Sequence, residues 1–451
     1  MAKYRKKQKR RSTVMEQIND SAAGIDVGAA GHFVAVPDDR DDRPVRAFGS
    51  YTDDLYRLAE WLHECRITTV ALESTGVYWI PLFQVLEERG FEVLLVDARR
   101  VKNVSGRKSD VADCQWLQQL HTFGLLAPAF RPDDETCVLR SYMRQREGLV
   151  VQAAQHMQHM QKALELMNVK LTEVLADISG ATGMAIIDDI LSGNRDPQKL
   201  AQHRHATCKH DQETIAKALD GHYREEHVFA LRQALSLYRT CRSLMDECDA
   251  AIRDVLDHFG TPSSPDEVPP PSRPKRDSKN SLGFDAHEHL FRIAGVDLTS
   301  IPGLSTTSVL KVLSETGLDM TRWRSAKAFA SWLGLCPNNR VSGGKVLATR
   351  SRAAPNRAAN VFRMAAYGLH HAKSALGAYY RRMRTRLGAP KAITATAHKL
   401  ARAFYAMLLS KKSFEDIGQQ AYESQYQARR IKGLARAAEQ LGFQLVPQPQ
   451  V

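Results

Sequence analysis

An α/β domain followed by mainly helical segments is predicted by three observations. Between residues 22 and 130, short apolar runs alternate with helical stretches in a β-α rhythm. From Leu139 to Ile178, apolar residues recur alternately four and three apart, the signature of a long helix with a coiled-coil seam. After a Pro- and Ser-rich stretch the chain resumes with a Pro-Gly turn before an apolar helix.

Composition narrows the classes of function. A chain of 451 residues suggests two or three domains with ample material for a core. Its 63 Lys and Arg against 50 Asp and Glu leave a net charge of +13, which favours a polyanionic partner, nucleic acid before membrane. No apolar run reaches the ~18 residues needed to span a bilayer, so no membrane partner is expected. The N-terminus, Met-Ala-Lys-Tyr-Arg-Lys-Lys-Gln-Lys-Arg-Arg, lacks the apolar region of a secretory signal. Seven cysteines show no C-x-x-C pairing, which fits a reduced, cytoplasmic protein. His203, His205, Cys208 and His210 are ligand types, but no second half-site follows them, and zinc is not expected.

Taken in order, residues 1–12 read as a basic tail, disordered until it meets phosphate. Ala23–Val27, His32–Val36, Thr69–Leu72 and Glu92–Val96 read as strands. Helices are predicted at Thr52–Cys65, at Val77–Glu88 (closed by Gly90) and at Asp110–Phe123. Gly28-Ala-Ala-Gly31 joins the first two strands as a hairpin-like connection, which puts Asp26 at the end of a central strand. A strand hairpin followed by β-α alternation suits a ribonuclease-H-like fold.

The first seam runs through Leu139, Met143, Arg146, Val150, Ala153, Met157, Met160, Leu164, Met167, Leu171, Val174 and Ile178, with Arg146 its one interruption. A second runs from Leu231 to Phe259 and takes in Cys241 and Cys248, which are thereby seam residues and not ligands. The two helices either fold back on one another or pair across protomers. Thr261 to about Asn280, with three consecutive prolines, reads as a linker. Ile301-Pro-Gly-Leu-Ser-Thr-Thr-Ser then resembles a helix-hairpin-helix turn, whose amides can approach a phosphate backbone.

From Met320 to Phe414 there is no Asp or Glu, yet there are 19 Lys and Arg. A solvated face normally mixes signs, so this run is read as a nucleic-acid surface. Arg340, Lys345, Arg350, Arg352, Arg357, Arg381, Arg382 and Arg384 are its candidate contacts. Trp323, Trp332, Tyr379 and Tyr380 lie among the charges, either in the core or as stacking surfaces for bases. Inside the run, Arg340-Val-Ser-Gly-Gly-Lys345 puts Ser342 before two glycines and between two cations, open to a phosphate. An ordinary polar turn has the same composition.

Four acids complete the candidate chemistry. Asp110 and Asp113, three apart at a helix start, share a face. Asp26 and Glu73 end or interrupt apolar strands. Four carboxylates on scaffold ends can hold hard divalent cations beside a phosphate. Asp110 and Asp113 also fit a plainer role, first-turn acids facing the helix dipole with Ser109 as N-cap.

The order of these features resembles the DEDD-type insertion-sequence transposases, the bridge-RNA-guided recombinases. The matching pieces are Gly24-Ile-Asp-Val-Gly28, Ala71-Leu-Glu-Ser-Thr-Gly-Val-Tyr-Trp79, Lys108-Ser-Asp-Val-Ala-Asp113, Gly295-Val-Asp-Leu-Thr-Ser-Ile-Pro-Gly303 and Ser342-Gly-Gly-Lys345. Gly334-Leu-Cys-Pro337 and Asn356-Arg-Ala-Ala-Asn360 also match, so the likeness spans roughly residues 20 to 410. It implies a RuvC-like DEDD domain at 21–134 and a coiled-coil region at 135–260, after a basic tail at 1–20 that is particular to this chain. A Pro-rich linker at 261–288, also particular to this chain, then leads to the implied C-terminal transposase domain at 289–414, with a tail at 415–451. It further implies a Mg2+ site made by Asp26, Glu73, Asp110 and Asp113, with Ser342 as the residue that joins covalently to DNA. The implied partners are donor and target DNA, a structured guide RNA, and further copies of the chain in a dimer or tetramer. Asp97 is a departure, a fifth acid where an uncharged residue is expected. Two rivals share the sequence: a RuvC-like structure-specific nuclease with Ser342 structural, and a non-catalytic nucleic-acid scaffold.

Overall fold

Ala22–Val27 (β1) is the strand on which the first unit is built, buried throughout except at Asp26. Gly31–Ala35 (β2) pairs antiparallel to it and Val45–Gly49 (β3) pairs antiparallel to β2. On the other side, Thr69–Glu73 (β4) and Glu92–Val96 (β5) run parallel to β1, giving the order β3-β2-β1-β4-β5. Four strands fall where the sequence predicts them. Strand β3 is an addition, a half-exposed edge segment, Val-Arg-Ala-Phe-Gly, with too little alternation to announce itself.

Three helices cover this sheet. Thr52–Glu64 (α1) and Trp79–Glu88 (α2) bury Leu58, Leu62, Leu82 and Leu86 against Ile25, Val34 and Leu72. Helix α2 begins two residues later than predicted, after Gly76 at φ +56°. Asp110–Thr122 (α3) packs on the opposite face, where Leu117 meets Ala71 and Val96. Layers on both faces leave the sheet ends as the open edges.

The computed structural model describes residues 16–97, 109–260, 279–337, 339–348 and 356–446. The expected basic tail, all but the end of the Pro-rich linker, Lys108, Arg350 and Arg352 lie outside the described residues. The chain divides into two compact units, Met1–Arg131 and Pro132–Val451.

The second unit opens with Asp134–Leu166 (α4), capped by Asp133. The predicted seam does not continue as one helix to residue 178. Helix α4 stops at Leu166, and Asn168 stands in the left-handed region at φ +57°. Met167, Leu171, Val174 and Ile178 keep the apolar period because they fill a separate core. That core is shared with the short helices Leu171–Val174 (α5), Ala181–Ser192 (α6), Pro197–Ala201 (α7) and Gln212–Leu219 (α8).

Glu225–His258 (α9) then folds back along α4, antiparallel, so the two seams meet within one chain. The interruption at Arg146 has its explanation on α9. Its guanidinium is buried against Asp249, at 2.5 and 3.1 Å, and also donates to the carbonyls of Asn280 and Ser281. Gly283 N donates to the same Asp249. Such a pair adds little net stability, but it fixes register, because a slip would leave a buried charge alone. Asp249 takes the seam position predicted for Cys248, which is half-buried.

Helices His287–Ala294 (α10), Thr306–Thr316 (α11), Ala326–Trp332 (α12), Arg357–Gly368 (α13), Ala375–Leu387 (α14) and Ala389–Ser410 (α15) follow. Phe329, Phe362, Phe404 and Tyr405 interlock between α12, α13 and α15. Arg140 and Arg144 of α4 bind Glu315 at the end of α11, which ties the helical hairpin to these helices. Residues 415–451, expected as a tail, contain a further helix, Gly418–Gln440 (α16), with no buried residues. No helix among the described residues is long and apolar enough to cross a membrane.

Candidate active site

Strand register brings the first two acids together. Ile25 of β1 pairs with Leu72 of β4, so Asp26 and Glu73 stand side by side one residue further on. Both point to the face covered by α3, since Asp26 follows Gly24 and Glu73 follows Ala71 at the two-residue period of a strand. Thr75 Oγ1 donates to Glu73 Oε1 at 3.0 Å and steadies it.

Gly24 determines how close α3 comes. A Cβ there would overlap the Cys114 carbonyl oxygen and the Gln118 backbone nitrogen. Only glycine lets the helix lie directly on β1. Asp110 and Cys114 share one stripe of α3, so seating Cys114 on Gly24 carries the first turn toward Asp26. Ser109 is indeed the N-cap, accepting from Ala112 N at 3.2 Å. The capping role and the convergence of acids therefore coexist.

The electrostatics report that convergence. Burial raises the Asp26 pKa to about 6, and repulsion from Glu73, Asp110 and Asp113 adds to the shift. Cys114, beneath them, is pushed by burial to about 12 and is no thiolate. Asp97 is half-buried just after β5.

Carboxylate oxygens are the donors a hard divalent cation prefers, and a cation would relieve the repulsion on Asp26. The donor set therefore fits such an ion. Among the described residues no three acids are gathered tightly enough to hold one as they stand, as expected of like charges without a counter-ion.

Ser342 lies in the second unit, on a two-stranded hairpin of Arg340–Ser342 (β6) and Lys345–Ala348 (β7). Gly343 and Gly344, at φ +55° and +76°, make the two-residue turn, and Ser342 pairs with Lys345 across it. A Cβ on either glycine would meet nothing within 4 Å. Val341, Val346 and Leu347 beside the serine are exposed at 58%, 57% and 68%. Ser342 and Lys345 are exposed with them.

The candidate cations sort into different environments. Arg357 binds Glu147 of α4 at 2.6 Å. Arg381 donates to the carbonyls of His370 and Ala372 and to Gln419, a structural clamp. Arg384 donates to His370. Arg382 is held among tyrosine rings. Of the aromatics, Trp323 and Tyr380 are core, while Tyr379 is half-buried beneath Lys399. The Pro302–Gly303 turn lines a cleft of about 460 Å³ with Lys373 and Asp416 on its wall.

An acidic sheet edge and a basic helical unit define an enzyme that works on nucleic acid, and comparison with protein families names its class. Residues 23–169 match the DEDD transposase model of IS110, and residues 296–381 match the model described as Transposase IS116/IS110/IS902 family. The chain is a DNA transposase. It belongs to the DEDD-type IS110 family, whose acidic domain uses a divalent metal. Comparison with curated proteins finds no match.

Proposed function

We propose that this transposase is an RNA-guided, Mg2+-dependent recombinase that cuts and rejoins DNA through a serine-DNA intermediate. The observation that carries the reading is the convergence of Asp26, Glu73, Asp110 and Asp113 at one end of a five-stranded sheet. Strand order and acid placement support a ribonuclease-H-like, RuvC-type domain over 21–134. The same four side chains would hold Mg2+, which supplies charge neutralisation at the phosphate and stabilises the attacking or leaving oxygen. The Pro302–Gly303 turn between short helices is read as the helix-hairpin-helix element within a transposase domain over 289–414.

Ser342 Oγ forms a new P–O bond as the bond to the departing strand breaks, and its proton passes to a base or water. The departing hydroxyl takes up a proton. Rejoining reverses the exchange, so the phosphoserine conserves the bond energy and no ATP is needed. Arg340 and Lys345 flank the serine and suit the charge on the equatorial oxygens. Serine and acids are more than 200 residues apart in sequence, in separate units, so catalysis requires that they be brought together. Exposed Val341, Val346 and Leu347 give the hairpin an apolar face for that meeting, in a dimer or tetramer. The guide RNA rests on the family resemblance and on the net charge of +13. A cytoplasmic location is in keeping with seven cysteines that show no C-x-x-C pairing.

A suicide DNA substrate tests the serine. An adduct on Ser342, recovered by proteolysis and mass spectrometry and lost in Ser342→Ala, is the expected result. Cleavage with no adduct would leave a metal nuclease in which the serine is structural. Sequencing the RNA that co-purifies with the protein tests the guide, and the absence of a discrete structured RNA would remove it. No divalent-dependent cleavage at all would leave only a nucleic-acid scaffold.

A further inference from the structure

Beyond the last family-matched residue, α14, α15 and α16 bring together four cations with no acid among them. Arg382 of α14 lies against three tyrosine rings: Tyr379 at 5.5 Å, Tyr422 at 5.2 Å and Tyr426 at 4.0 Å. Lys399 of α15 stands over the Tyr379 ring at 4.3 Å. Partial burial lowers the Lys399 pKa, and Arg382, Arg402 of α15 and Arg429 of α16 are close enough to lower it further. Among the described residues none of the four makes an ion pair. The Nε of Arg382 is buried with no hydrogen-bond partner.

Stacking Arg382 on tyrosines would by itself explain how α16 docks. It does not explain three further cations at the same place. Like charges repel, and the exposure of Lys399, Arg402 and Arg429 lets water screen only part of that repulsion. An orphaned guanidinium N–H adds a second cost. Each is relieved by a single event, the entry of an anion. Arginine forks match a phosphate.

We propose that Arg382, Lys399, Arg402 and Arg429 form a phosphate-binding site for a nucleic-acid strand, completed by α16. The proposal rests on the reading that the chain handles nucleic acid, and it adds a binding surface outside residues 23–169 and 296–381. It also assigns α16 a purpose. The helix carries no core residue, yet it contributes two of the three tyrosines and one of the cations.

The test uses the full chain in EDTA, with labelled single-stranded RNA and DNA of one sequence, read by fluorescence anisotropy across a salt series. The variant combines Arg402→Gln and Arg429→Gln. Both residues are exposed and neither stacks on a tyrosine, so α16 stays docked. A control combines Arg430→Gln and Arg436→Gln, an equal charge change on α16 outside the cluster. The cluster variant is expected to bind about tenfold more weakly, with the log–log salt slope shallower by about 0.7 for each phosphate no longer neutralised. The control is expected to stay within about twofold of the native chain. Weaker binding of RNA alone, DNA alone or both supports the site and names its strand. Unchanged binding of both strands, or an equal weakening in the control, overturns it. Because divalent metal is absent, the result does not depend on the acids or on Ser342, whose failure would show in strand exchange instead.

Discussion

The acidic edge and the serine hairpin are built on opposite terms. Asp26 and Glu73 extend from paired strands inside a packed sheet, and α3 is seated on β1 so closely that only Gly24 fits. Ser342 sits at the tip of two short strands, where both turn glycines face open space. The first region is positioned by packing before any ligand arrives and holds its charges against their own repulsion. The second has little packing of its own to hold it. One half of the proposed chemistry thus has its scaffold packed in place, although its acids are not yet close enough to grip an ion, and the other half takes its final geometry from whatever it meets.

The largest expected effect tests whether both halves are needed. Replacing Asp26, Glu73, Asp110 or Asp113 by Ala should lower strand exchange by at least about a thousandfold, as loss of charge stabilisation at a reacting phosphate does. RNA and DNA binding should be retained. Wild-type exchange by Asp110→Ala would break the comparison at its acidic side.

A second contrast uses glycines in the two regions. Gly24→Ala drives a Cβ into the backbone of α3 and should cost about 3 kcal/mol. Gly343→Ala meets no atom and should cost only the left-handed backbone, about 1–2 kcal/mol. Thermal or denaturant melts check both. Gly24→Ala should also lose exchange, and Gly343→Ala should lose it only by misplacing Ser342.

A smaller effect is expected for stability in Ser342→Ala, within about 0.5 kcal/mol of native because the residue is exposed. A large loss on melting would mean that the hairpin is more tightly packed than its exposure indicates.

A pH dependence is also expected. The Asp26 pKa is raised from 3.8 to about 6, so between those values the folded state binds the proton more tightly than the unfolded one. This group's contribution to stability therefore falls as pH rises through that window, and the deficit is complete above about 6. Asp26→Asn should stabilise the metal-free protein above pH 6, by an amount that shrinks toward pH 4 and vanishes below it. Melts in EDTA at several pH values measure this. A stabilisation independent of pH would mean that repulsion at Asp26 is not its source.

Local signals were the ones sequence could carry. Asp26 and Glu73 were legible because strands end near them, and Asp110 and Asp113 because Ser109 opens a helix. The reason for Gly24 was not legible, since its neighbours Cys114 and Gln118 are about 90 residues away. Arg357 looked free for nucleic acid, but its partner Glu147 lies 210 residues earlier. Strand β3 lacked alternation, and the apolar period beyond Leu166 outlasted its helix because two different cores share one spacing. The aromatics were ambiguous for a similar reason: Tyr379 and Tyr380 are adjacent, yet one is half-buried under a cation and the other is core.

Arg146 has a consequence for the order in which this chain is made. During synthesis α4 emerges with a cation in its apolar seam whose counter-charge, Asp249, is 103 residues downstream, and whose two carbonyl acceptors come 134 and 135 residues later. Until those segments leave the ribosome, any early clasp of α4 would bury an uncompensated guanidinium. The full set of Arg146 contacts can form only once the chain has been made past Ser281.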